Sequence, residues 1–224
     1  MDILINTLIN LLEPIYETIF LTFIPLLFAV VFGTLLALLL YCTSSDGLLE
    51  SHNPIFYVIN KIADISINIL RAIPFIILII ILIPISSFLT GSMLDKEAAL
   101  PSLILAATPF FARMCLIAFQ EVDKGTIEAS KAMGATKLQI IFKVLIPESL
   151  PAIISAISVC GVNLVGYTAM CGAIGAGGLG HQAYQYGFVR RNPLILYTTT
   201  IIIIIIVFII QGVGDYIVKK IDKR

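Results

Sequence analysis

Few residues in this chain have types and spacings that could do chemistry. Gly175-Ala-Gly-Gly-Leu-Gly180 matches GxGxxG, the pattern that cradles a dinucleotide pyrophosphate. That chemistry requires a strand before the glycines, a helix after them and an acidic residue about 20 positions on. Here the glycines follow a long apolar stretch, the residues at that distance are Thr198 to Thr200, and no Asp or Glu lies between Glu148 and Asp215. The context excludes a dinucleotide site. Cys42, Cys115, Cys160 and Cys171 form no CxxC pair, and His52 and His181 lie far apart, so neither a zinc site nor a structural disulfide is expected. The chain has no GxxxxGK[ST] and so no cradle of its own for a nucleotide triphosphate. The apolar stretches hold almost no convergent His, Asp, Glu or Cys groups, which speaks against an integral-membrane enzyme.

The elements that must position any functional residue are set by composition. Of 224 residues, 59% are apolar and only 12% charged, with a mean hydropathy of +1.04. Soluble domains carry about 25% charged residues, so this chain is not one. The formal net charge is zero, which gives no basis for nucleic-acid binding. About 20 apolar residues cross a bilayer core, and five spans are expected, near 18–41, 72–93, 98–119, 150–173 and 193–214. The first lacks a basic n-region and is too long for a signal-peptide core, so it reads as a retained helix. The last contains six consecutive isoleucines, Ile201 to Ile206, a run that in lipid must still be helical to satisfy its backbone. The expected fold class is therefore an all-α integral membrane protein.

Five spans place the termini on opposite sides. Lys124, Lys131, Lys137 and Lys143 lie between the third and fourth spans, and Lys219, Lys220, Lys223 and Arg224 lie in the tail. Positive charge favours the cytoplasm, so both segments are assigned inside and the amino terminus outside. Arg190 and Arg191, between the fourth and fifth spans, run against this assignment. The 46–61 connection falls inside. Pro25, Pro74, Pro84, Pro101 and Pro109 punctuate the spans and can kink them, either as simple helix shaping or around a polar path. Arg71 and Arg113 fall near expected helix ends, where a basic chain snorkels to the interface or meets an acidic partner.

The segment from Gly125 to Pro151 is too polar to span and too patterned for a slack loop. Thr126 can cap a helix start and Glu128 complements its positive end. Ala129, Ser130 and Ala132 are small enough to let another surface approach. Gly134 suits a left-handed bend, and Thr136 with Gln139 forms a TxxQ capping box. Leu138, Ile141, Phe142 and Leu145 recur at helical spacing. The pattern predicts helix, bend, helix, then a membrane helix. Such a unit either docks in a groove of a partner protein or lies on lipid headgroups.

The order Glu128-Ala129-Ser130, three residues, Gly134, nine residues, then Val144-Leu145-Ile146-Pro147 resembles the EAA signature of type I ABC importer permeases, E-A-A-x3-G-x9-I-x-L-P. Ser130, Val144 and Ile146 depart conservatively, and the spacing is intact. Arg71-Ala-Ile-Pro74, Thr108-Pro109-Phe-Phe-Ala-Arg113, Leu164-Val-Gly166-Tyr167-Thr-Ala-Met170 and Tyr184-Gln185-Tyr186-Gly187 are similar to the methionine (D-methionine) permease branch. The resemblance runs from about residue 15 to the carboxyl terminus. It implies an ABC type I transmembrane domain over residues 15–214, an outward-facing segment 1–14 and a basic cytoplasmic tail 215–224. It also implies that 125–147 is a coupling helix, with Glu128, Ala129, Ser130, Ala132, Gly134 and Leu138 meeting a cytoplasmic ATPase. The chain would bind no cofactor itself, and ATP would be used by the partner.

The resemblance further implies a homodimer, two ATPase subunits and an extracytoplasmic substrate-binding lipoprotein, in a bacterial cytoplasmic membrane. Transport would proceed by alternating access. The glycines at 175–180 suit an outer gate, a surface for the binding protein, or a plain glycine-rich loop. Tyr167 and Met170 share a helix face with Asn163 nearby; with Gly175 they are the candidates for the translocation path, and helix packing is the competing assignment. The same architecture could carry another amino acid or small solute, and an energy-independent channel is the remaining alternative.

Overall fold

The computed structural model describes residues 10–44, 47–48, 54–91 and 95–222. Among these residues every regular element is helical. In chain order they are α1 (Leu12–Thr43), α2 (Pro54–Ala72), α3 (Phe75–Thr90), α4 (Lys96–Gln120), α5 (Lys124–Ala132) and α6 (Lys137–Ile140). A π-helical turn (Ile141–Leu145) leads into α7 (Ile146–Ala173), and α8 (Gly178–His181), a π-helical stretch (Gln182–Val189) and α9 (Pro193–Ile221) follow. Four continuous helices are long and apolar enough to cross a membrane, and α2 with α3 forms a fifth, broken span.

The helix α4 is the hub of the bundle. Leu103, Ala107, Phe111, Ala112, Cys115 and Phe119 along it are buried. Small residues on α1, Ala29, Gly33 and Ala37, recur every four positions and are buried as well. They let the two backbones approach, as interfaces between membrane helices require. A Cβ on Gly33 would lie 2.7 Å from the Phe111 ring. Nearer one end of the bundle, Tyr41 meets Phe119 edge-on at 5.9 Å.

Four of the five expected spans appear as continuous helices with extended ends. The first begins at Leu12, so part of the expected outward segment 1–14 is already α1; residues 1–9 lie outside the described residues. The fourth runs without a break from Lys137 to Ala173. The fifth continues to Ile221, so most of the expected tail is the end of α9, and Lys223 and Arg224 lie outside the described residues.

The second span departs most from expectation. It is not one helix starting at residue 72 but two, bent by 106° at Ile73–Pro74. Pro74 has no N–H to continue the ladder, and its φ of −57° and ψ of 134° break the helical path. The end expected at Met93 lies outside the described residues. The other prolines in the spans, Pro25, Pro84, Pro101 and Pro109, sit inside continuous helices. The helix α2 was hidden by its polar side chains. Asn60 donates to the Leu40 carbonyl and to Thr43 Oγ1, both at 2.8 Å, and so fastens α2 to the end of α1.

The helix ends gather into two groups. Tyr41, Ser44, Leu48, Gln120, Val122 and Ile127 share one cavity, and Ala118, Glu148, Ser149, Val218 and Asp222 share another at the same end. At the opposite end Glu17 and Thr18 meet Gly178 and Leu179, and Asp95, Ala98, Ile174 and Ala176 lie together.

Candidate functional site

The segment between α4 and α7 folds as a helix–turn–helix. Its first helix is capped by Asp123 rather than by Thr126: the carboxylate accepts from the Gly125 and Thr126 amides. Glu128 consequently sits in the second turn and not at the helix start. The bend is a full Schellman closure. Gly134 has φ +81°, its amide donates to the Lys131 carbonyl at 3.0 Å, and the Ala135 amide donates to the Ser130 carbonyl at 3.1 Å. The expected capping box is present: Gln139 N–H donates to Thr136 Oγ1, and the Gln139 side chain accepts from Thr136 N–H at 2.8 Å.

Burial divides this unit into an anchor and a knob. Ile127, Ile140 and Leu145 are buried in the bundle core. Ser130 is buried too, donating to the Thr126 carbonyl at 2.8 Å, so it holds the turn together and presents no surface. Glu128, Ala129, Ala132, Gly134 and Leu138 are exposed. Met133 is 82% exposed, Leu138 67% and Phe142 65%. Large apolar side chains thus project beside lysines on a unit anchored by its other face, the kind of patch that marks an interaction surface. A cavity of about 370 Å³ opens beside it, lined by Tyr41, Gln120, Lys124, Glu128 and Lys131.

The second constellation lies where α3, α4 and α7 pack together. The Tyr167 ring stacks on Phe75 with centroids 4.4 Å apart, just past the break in the second span. Both residues line a cavity of about 110 Å³ with Arg71, Leu78 and Phe110. Met170, one turn along from Tyr167, is 47% exposed, and Asn163 is half-buried. Arg113 meets an acidic partner. It lies two turns before the end of α4, as expected, and pairs with Asp64 of α2 at 3.4 Å, while Asn68 donates to the other oxygen of Asp64 at 3.1 Å. Asp64 was missed because its partner is 49 residues away, and only the amphipathic period of 54–72 could have drawn attention to it.

The third constellation is the glycine segment. Gly175 is exposed, and Gly175, Gly177 and Gly178 have φ of +107°, +82° and +78°. Two successive amides, on Gly178 and Leu179, donate to Glu17 Oε2 at 2.7 Å and Thr18 Oγ1 at 2.8 Å. The turn thus holds an anion, but the anion is a carboxylate of its own chain. The four cysteines are free and buried, and among the described residues no three His, Cys, Asp or Glu side chains group as metal ligands.

Residues 53–224 match the family described as the inner membrane component of binding-protein-dependent transport systems. The chain belongs to this family. It is a multi-pass membrane subunit of a transport system rather than an enzyme. Over 186 residues, 83% of this chain and 82% of the relative, it is 49% identical to the methionine import system permease protein MetP of Bacillus subtilis (strain 168). Over 209 residues, 93% of this chain and 96% of the relative, it is 42% identical to the probable D-methionine transport system permease protein MetI of Haemophilus influenzae. Among solved structures, a chain of the MetNI methionine ABC transporter in an inward-facing conformation superposes with a TM-score of 0.91 at 38% identity, covering 100% of both chains.

Proposed function

We propose that this chain is the membrane-spanning permease of an ATP-driven importer of methionine, working as a homodimer above two separate ATPase subunits. The observation that carries the energy coupling is the anchored knob at 125–147. Its buried face ties it to α4 and α7 through Ile127, Ile140 and Leu145. Its exposed Glu128, Ala129, Ala132, Met133, Gly134 and Leu138 are available to a partner. Closure of the ATPases would push on the knob, and the continuous helix from Lys137 to Ala173 would carry that push to the far end of the bundle. Substrate identity rests on the methionine permeases to which the chain is similar.

Tyr167, Met170, Asn163 and the Arg71 cavity form one wall of the translocation path, and the glycine segment with Gly175 shuts its outer mouth. A substrate-binding protein, tethered by lipid, delivers methionine to that mouth. The knob faces the cytoplasm and the amino terminus faces outward, in keeping with the lysines that flank the knob and end α9.

The test is hydrolysis by the assembled complex in proteoliposomes, with the cognate binding protein loaded in turn with L-methionine, D-methionine and other amino acids. Stimulation by the methionine-loaded protein alone supports the assignment. Equal stimulation by an unrelated amino acid would move the chain to another substrate within the same architecture.

A further inference from the structure

The glycine pattern excluded as a dinucleotide cradle still does what such turns do: it aims successive backbone amides at negative charge. What it receives is Glu17, one residue before the buried Thr18 on α1. The Glu17 side chain is only 19% exposed, so its bond to the Gly178 amide is charge-assisted and largely shielded from water. Thr18 takes the next amide, and its own hydroxyl donates to the Pro14 carbonyl at 2.9 Å, which fixes the acceptor in place. The fit leaves no slack. A Cβ on Gly177 would lie 2.6 Å from Glu17 Oε2, and one on Gly178 would lie 3.0 Å from Thr18 Oγ1. Lys96, at the start of α4, stands 3.9 Å from the same carboxylate and is one-third exposed.

We propose that Glu17 is a positioning residue of the outer gate: its carboxylate grips the amide edge of the glycine segment and holds that segment shut across the path. This rests on the transport reading above. The conformation in which the grip is made is the one that superposes on an inward-facing transporter, whose path must be closed on the outer side. Without the carboxylate the Gly178 amide has no acceptor, the turn is released from α1, and the outer seal depends on the remaining contacts alone. The binding protein then loses its exclusive control of opening. The Lys96 pair, long and partly hydrated, adds little to the grip.

The experiment uses the full complex with its ATPase in proteoliposomes and measures methionine uptake with and without the binding protein. Glu17→Ala raises uptake in the absence of binding protein about tenfold, the scale of one lost charge-assisted bond. Lys96→Ala stays within about twofold of the unmodified protein. Glu17→Gln keeps an acceptor oxygen without the charge and gives a rise of about threefold; it carries the test if Glu17→Ala fails to assemble. No rise in any Glu17 variant would overturn the proposal, as would a Lys96→Ala variant as leaky as Glu17→Ala. Failure of the unmodified complex to import methionine with its binding protein would instead sink the transport reading itself.

Discussion

Under the proposed function, Gly134 serves energy coupling and Met170 the translocation path. At φ +81° Gly134 occupies backbone space that a β-branched residue avoids, at a cost of about 1–2 kcal/mol. No atom stands within 4 Å of where its Cβ would be, so the strain is conformational and not steric. Gly134→Val is therefore expected to deform the bend while leaving the buried anchor intact, cutting methionine uptake by about tenfold or more with ATP hydrolysis persisting. Unchanged uptake per ATP would show that the bend does not transmit force. Met170 stands on α7 one turn from Tyr167, which stacks on Phe75, and its side chain is half-exposed. Its flexible thioether suits a plug in a narrow path, and Met170→Ala is expected to raise passive methionine leak with no loss of melting temperature. A lower melting temperature with unchanged flux would make it a packing residue.

Among the elements, α4 holds the bundle together and the broken second span shapes its interior. Phe111 is fully buried against the α1 glycine face. Phe111→Ala is expected to cost about 3–5 kcal/mol, read as a lowered unfolding temperature in detergent, whereas truncating the exposed Phe208 on α9 is expected to change it little. The long spans were legible in the sequence because lipid forces an uninterrupted apolar run into a helix. The capping box and the glycine bend were legible because each is a local rule acting over three or four residues. What stayed hidden was set by distance in sequence. Asp64 finds Arg113, Asn60 finds Leu40, and Glu17 finds Gly178, and none of these pairs leaves a local trace. The helix α2 escaped for the same reason: its Asn60 and Asp64 are satisfied by α1 and α4, which hydropathy does not register. Asp123 outcompeted Thr126 as cap because its side chain reaches two amides from one turn earlier.

In the whole molecule, the two clusters of helix ends define two membrane faces. The knob, the α4–α5 corner and the end of α9 share one; the glycine segment, the start of α1 and the Arg190–Arg191 turn share the other. In that turn the Arg190 guanidinium is accommodated locally, 4.3 Å above the Tyr186 ring. A cysteine placed at Met133 is expected to react with an impermeant reagent only in inverted vesicles, and one placed at Arg191 only in intact cells. The reverse pattern would turn the molecule over and remove the knob from any cytoplasmic partner. The helix α9 leaves most of its surface unpacked within the chain.

The most direct measurement compares methionine uptake into proteoliposomes bearing this chain alone with uptake into those bearing the chain together with its ATPase subunits, binding protein present in both and ATP supplied on the knob side. The expected result is accumulation against a gradient only when the ATPase is present. Accumulation, or even rapid saturable equilibration, by the chain without any ATPase would contradict a permease driven through residues 125–147.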